Sequence, residues 1–204
     1  IIYSLEDDFN ILLIKEPNEV NEVNPNIILP GNGSFGYYVE FLKKHKWENQ
    51  LQDIINKNNS GKLFCICSGL QSLGWTSEES SNIKGLGLID YNFYSLNKTF
   101  EYSSIINIGR QRIYELNEGR KLKDLKFNKE IIVSDLMNPY FVHGFAASVN
   151  HDSIKIKNDF CYLAFKKNDQ EFLAGIISSS FCATQFHPEL SGRMWKEFMI
   201  RFFK

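Results

Sequence analysis

The chain has 204 residues, of which 43% are hydrophobic and 14% aromatic, enough for one domain with a real core and too apolar for a disordered chain. Its 23 Lys and Arg stand against 24 Asp and Glu, and a balance so close to neutral gives no reason to expect nucleic acid or an anionic membrane as partner. No apolar run is long enough to span a bilayer, no signal peptide is visible, and 4 cysteines are too few for a secreted disulfide scaffold.

In chain order, Phe9 to Ile14 (FNILLI) is a short apolar run that reads as a buried strand, and Asn26 to Leu29 is a second, stopped by Pro30-Gly31. Residues 36 to 57 have helical spacing of Val39, Leu42, Trp47, Leu51, Ile54 and Ile55. Gly61-Lys62 breaks that pattern, Leu63 to Cys67 is a third strand, and Ser68 to Trp75 is helical again. Alternation of this kind implies parallel strands with covering helices. Further on, Gly85 to Tyr94, Ile105 to Ile108, Ile113 to Leu116, Tyr140 to Val142, Cys161 to Phe165, Phe172 to Ser178 and Ala183 to Phe186 are strand-like, and Gly192 to Phe203 is helical. The Lys cluster at Lys121, Lys123, Lys126 and Lys129 is interleaved with Asp and Asn and reads as a solvated face. The expected fold is α/β, an open and mostly parallel sheet flanked by helices, with an added antiparallel layer, in a single domain over residues 1–204.

Chemistry concentrates in three stretches. In "LFCICSGLQSLGW" (63–75) a strand runs straight into Ser68-Gly69 and a helix, which puts Cys67 at a sharp strand-to-helix turn. A helix N-terminus favours the thiolate, and Gly69 permits the close backbone approach such a turn needs. Cys65 lies within the strand as a small packing residue; two inert core cysteines are the alternative. Metal is disfavoured, because no second Cys or His pair complements Cys65-x-Cys67. In "ATQFHPEL" (183–190) Pro188 ends a strand at His187, and Glu189 follows where a carboxylate can hold the imidazole. His45, in a Lys-rich helix and read as exposed, and His151, beside Asp152 in a polar turn, are weaker candidates. The third stretch, "LPGNGSFG" (29–36), is a Gly-rich turn after a strand. It lacks the Lys-Ser/Thr pair of a phosphate-binding loop, and the remaining reading is a loop that offers N–H groups to an oxyanion.

The order PGNGSFG, CICSGLQ, ATQFHPE resembles the class I (triad) glutamine amidotransferases, and more closely the glutaminase subunit of imidazole glycerol phosphate synthase. "SEESSNIKGLGLID" (77–90), "YFVHGF" (140–145) and "AGIISSSFCATQFHPELSG" (174–192) extend it over most of the chain from residue 28 onward. The resemblance implies a flavodoxin-like core and hydrolysis of L-glutamine to glutamate and ammonia without a cofactor. It makes Cys67 the nucleophile, His187 the base and then the acid, and Glu189 the group that orients His187. Ser68 and the loop Gly31, Asn32 and Gly33 would form the oxyanion hole. Gln71, Glu79, Tyr140, Phe141 and Val142 would line the glutamine site, with His143 structural. It also implies a heterodimer with a synthase (cyclase) subunit, a (β/α)8 barrel that takes the ammonia, in the cytoplasm.

Departures from the family pattern are Cys65 in place of a glycine, Arg110 within "INIGRQRI" (106–113) in place of a tryptophan, and Leu190 in place of a lysine. The last two fall where the family meets its partner, so they bear on partner identity and leave the triad intact. The chain starts at Ile1, and the family's first strand and most of its first helix have no counterpart in it, so a preceding segment is expected. Besides histidine biosynthesis, the sequence admits a paralogue that supplies ammonia for amidination of a bacterial surface sugar. A degenerate, non-catalytic regulatory subunit is opposed by the intact Cys67, His187 and Glu189. A cysteine hydrolase of another substrate, such as a peptidase, is opposed by Gln71 and Glu79.

Overall fold

β2 (Leu63–Ile66) is the strand around which the sheet is built, with every residue buried. The computed structural model describes residues 5–20, 25–31, 33–58, 60–96, 106–116, 138–149 and 159–204. On one side β2 pairs in parallel with β1 (Ile27–Leu29), and on the other in parallel with β11 (Phe181–Thr184). β11 then pairs antiparallel with β10 (Gln170–Ile177), β10 with β9 (Cys161–Lys167), and β9 with β6 (Ile113–Glu115). The resulting order is β1-β2-β11-β10-β9-β6. The α/β class is as expected, and the sheet is mixed: parallel across its first three strands and antiparallel beyond them. The hairpin-connected strands Cys161–Lys167 and Gln170–Ile177 need only a tight turn, which is why the second half of the sheet is antiparallel.

Alternation along β2 sends its side chains to two cores. Phe64 and Ile66 join Trp195, Phe198, Met199 and Phe202 of α4 (Arg193–Phe203). Leu63 and Cys65 join Leu42 of α1 (Phe35–Lys44) and Leu51, Ile54 and Ile55 of α2 (Glu48–Ile55). The helices thus flank the sheet on both faces. Two small ladders lie outside it: β3 (Thr76–Ser77) with β4 (Asn92–Ser95) and β8 (Phe145–Ala146), and β5 (Asn107–Arg110) with β7 (Tyr140–His143).

Several sequence expectations are corrected. Residues 36 to 57 form two helices, not one. After α1, Lys46 adopts a left-handed φ of 57°, the Trp47 N–H donates to the Leu42 carbonyl at 2.9 Å, and the Lys46 N–H donates to the Lys43 carbonyl at 3.1 Å. That is a Schellman ending with lysine where glycine is usual. α2 ends the same way at Lys57, φ 60°. Phe9 to Ile14 is not a strand: Phe9, Ile11 and Ile14 pack inward, while Leu12 and Leu13 are 70% and 86% exposed. α3 (Ser68–Ser72) stops short of Trp75, and of Gly85 to Tyr94 only the end is strand. His45 is partly buried, paired with Glu16 and packed on Phe41. Asn32, His151, Ile105 and the four-lysine cluster lie outside the described residues. Among the described residues no helix is long and apolar enough to cross a membrane.

Candidate active site

The three parallel strands β1, β2 and β11 end side by side, and each delivers one of the three stretches picked out in the sequence. Between β2 and α3, Cys67 has φ 47° and ψ −107°, a conformation L-residues rarely adopt and one that costs about 1–3 kcal/mol. It is held there by its N–H donating to the Thr184 carbonyl at 2.7 Å and its carbonyl accepting from the Gln71 N–H at 3.0 Å. Cys67 is only partly buried, whereas Cys65, Cys161 and Cys182 are buried, and all four are free thiols. Burial pushes the Cys65 and Cys182 thiols well up, which keeps them protonated and inert.

The β1–α1 loop and the first turn of α3 pack closely at the elbow. A Cβ on Gly31 would lie 2.7 Å from the Ile66 carbonyl oxygen and 2.8 Å from Cys67 Cβ; one on Gly69 would lie 2.6 Å from the Leu29 carbonyl oxygen. Only glycine lets the β1–α1 loop sit this close to Ile66 and Cys67. Gly33 has φ 104° with open space around it. Ser68 opens α3, and the first N–H groups of a helix have no intrahelical acceptor.

His187 follows β11, and its backbone N–H donates to the Tyr140 carbonyl at 2.8 Å. Its Nδ1 bonds Glu189 Oε1 at 2.8 Å, and the ring also shares a hydrogen bond with Cys67. Burial favours the neutral ring, but the bonds to Cys67 and Glu189 outweigh it and raise the His187 pKa to about 9. The turn that carries these groups is fixed by Ser191, whose Oγ donates to the His187 carbonyl and accepts from the Tyr140 N–H at 2.8 Å. Arg110 bonds the Ser191 carbonyl at 3.2 Å and the Asn138 carbonyl at 3.0 Å.

The expected glutamine-binding residues divide. β7 passes the sulfur, with the Val142 carbonyl 3.9 Å from Cys67 Sγ. Phe141 points the other way into the core, against Phe165 and Phe186. Glu79 accepts from the Phe35 N–H at 2.7 Å and so caps α1. Gln71 is buried, its Nε2 bonded to the Phe145 carbonyl and to Gln185. His143 is buried between the Phe145 carbonyl and Asn107, each at 3.0 Å, and burial lowers its pKa to about 3. It is a neutral brace between β7 and β5. Gln185 is the residue that sequence reasoning missed: its Nε2 lies 3.6 Å from Cys67 Sγ. Its place two residues before His187 was the available signal. Among the described residues no cluster could hold a metal ion. The arrangement suits covalent acyl chemistry: a thiol at a helix start, an imidazole near it and a carboxylate behind the imidazole.

A protein-family model described as a CobB/CobQ-like glutamine amidotransferase domain matches residues 4–140. The imidazole glycerol phosphate synthase subunit HisH of Prochlorococcus marinus subsp. pastoris is 31% identical over 203 residues, covering 98% of this chain and 88% of that protein. The imidazole glycerol phosphate synthase hisHF of Emericella nidulans is 29% identical over 197 residues; the match covers 91% of this chain and only 32% of that longer protein. Of solved structures, a crystal structure of glutamine amidotransferase is similar in fold, with a TM-score of 0.62 at 13% identity over 98% of this chain and 89% of that one.

Proposed function

This chain belongs to the glutamine amidotransferases, glutamine-hydrolysing enzymes, and from that premise we propose that Cys67, His187 and Glu189 are its catalytic triad and that its ammonia passes to a synthase subunit. One observation carries the residue assignment: the strained elbow presents Cys67 to an imidazole that Glu189 holds from behind.

Hydrolysis then proceeds in two halves. The Cys67 thiolate attacks the side-chain amide carbon of glutamine, and the carbonyl oxygen becomes an oxyanion. The Ser68 N–H and the loop of Gly31, Asn32 and Gly33 receive that oxyanion; losing one such donor typically costs ~10²–10³ in rate. The His187 imidazolium gives its proton to the departing nitrogen, and ammonia leaves. A thioester remains on Cys67. Neutral His187 next takes a proton from water, hydroxide attacks the thioester carbon, and glutamate and the thiolate–imidazolium pair are regenerated. Glu189 keeps Nε2 of His187 toward the sulfur throughout. Val142 presents its carbonyl beside the sulfur, and Gln71 and Glu79 are assigned to the glutamine site.

The relatives named for imidazole glycerol phosphate synthase support that synthase as the destination of the ammonia; histidine biosynthesis, a (β/α)8-barrel cyclase as partner in a heterodimer and a cytoplasmic setting are carried over from the family resemblance. A second reading is the same glutaminase serving a different synthase, such as one that amidinates a surface sugar. Arg110 favours it: its guanidinium is engaged by carbonyls of its own chain, and Leu190 beside it is exposed. The test is glutamate release from glutamine by the chain alone and with the imidazole glycerol phosphate synthase cyclase subunit and its nucleotide substrate, with Cys67→Ala as control. Strong stimulation that vanishes in Cys67→Ala is the expected result. Covalent labelling of Cys67 without stimulation would select the other synthase. Full activity in Cys67→Ala would overturn the triad.

A further inference from the structure

Gln185 is fully buried, yet one end of its amide reaches the nucleophile. Which end it presents is decided three bonds away. The Phe145 carbonyl can only accept, so the Gln71 amide atom 3.0 Å from it must be nitrogen. That nitrogen has a second hydrogen, which goes to the Gln185 amide atom 3.1 Å away, so that atom must be oxygen. The other end of Gln185 is therefore –NH2, and it faces Cys67 Sγ at 3.6 Å. A donor in that place favours a sulfur that accepts, which is the thiolate.

We propose that Gln185 is a thiolate-stabilising residue of this site and that Gln71 is a positioning residue that fixes its amide orientation through the Phe145 carbonyl. The proposal rests on Cys67 being the nucleophile. It gives Gln71 a task that is complete before glutamine arrives, because both hydrogens of its amide nitrogen are already committed within the protein. The relay also joins three elements, α3, β8 and the end of β11, around one sulfur. A polar chain buried this deeply is tolerated when each member has its partner, and each then has only one orientation.

Among the described residues the titratable and charged groups around the sulfur are few. His187, with Glu189 behind it, faces it from the turn after β11. His143 on β7 is held neutral, and Lys167 of β9 reaches His143's partner Asn107 at 3.3 Å. Glu79 is bound to the start of α1. None of these changes when Gln185 or Gln71 is replaced by an uncharged residue, so a shift in the sulfur's titration reads the relay.

The experiment is the rate of Cys67 alkylation by iodoacetamide, without glutamine, across pH. In that reaction the thiolate displaces iodide and forms a thioether. The other three thiols are buried, and Cys67→Ala gives the background. In Gln185→Met the midpoint of the pH profile should rise by about one to two units, the size expected for losing a hydrogen bond to a charged group. Gln71→Met, which frees Gln185 to turn, should shift it in the same direction by less. Circular dichroism establishes that each variant is folded. A folded Gln185→Met with the wild-type midpoint overturns the proposal; if Gln185→Met does not fold, an unchanged midpoint in Gln71→Met does so instead. Alkylation or glutaminase activity that persists in Cys67→Ala would instead sink the assignment of the nucleophile, a failure visible before the relay is tested.

Discussion

Burial alone would hold His187 neutral; its hydrogen bonds to Cys67 and Glu189 turn that preference round and carry the pKa to about 9. The imidazolium is thus present at neutral pH, as the proposed proton transfer to the departing nitrogen requires. Glu189→Gln keeps the size and most of the packing and removes the carboxylate that accepts from Nδ1. The falling alkaline limb of kcat/KM, expected near pH 9 in the wild type, should move down toward the ordinary histidine value of 6.5. kcat should fall by roughly 10², as is usual when a proton-transfer group is mis-set. A pH–rate profile of the two proteins checks both. At this scale the sequence was legible where a residue type has few uses. A cysteine at a strand end followed by Ser68-Gly69 and a histidine stopped by Pro188 each imply a geometry. Gln185 was not legible, because a glutamine at a strand end reads as ordinary polar filling and its meaning lies in the orientation of a neighbour's amide.

The elements place these groups through close approach. The β1–α1 loop can touch the elbow only because Gly31 has no side chain, so Gly31→Ala must push the loop away from Ile66 and Cys67. The expected result is a folded protein with thermal stability lowered modestly and kcat reduced by about 10² or more, the loss of an oxyanion donor. Steady-state kinetics with a melting curve would show it; unchanged kcat would remove the loop from the reaction. Elements were readable where punctuation and periodicity agree, as at β2 and α4, whereas β11 runs from Phe181 to Thr184, two residues earlier than the expected Ala183 to Phe186. The break at Lys46 was invisible, since the left-handed position that normally calls for glycine is filled by lysine. The run at Phe9 to Ile14 misled for a different reason. A strand exists only as half of a ladder, and composition does not say whether the other half is present.

Across the whole molecule, two histidines pull stability in opposite directions with pH. His143 is neutral in the fold down to about pH 3 but takes a proton at about 6.5 when unfolded, so stability is full above 6.5 and falls as pH drops toward 3. His187 holds its proton up to about pH 9 in the fold, so its contribution is full below 6.5 and is lost as pH rises through 9. Their joint contribution peaks near pH 6.5. The melting temperature should fall on both sides of that value, and the alkaline slope should shrink in Glu189→Gln. Differential scanning fluorimetry from pH 4 to about 10 checks it, and a flat alkaline side in the wild type would contradict the elevated His187 value. The β5–β7 ribbon gives the molecule another property. It stands apart from the six-stranded sheet, yet its Tyr140 carbonyl holds the His187 N–H, its Val142 carbonyl lies beside the sulfur, and Arg110 grips the turn after Glu189. Its outer side chains, Ile108 among them, face solvent. The ribbon therefore ties the Cys67 sulfur and the His187 backbone to one element whose other side is open to solvent, so the two groups share a support that reaches the molecular surface.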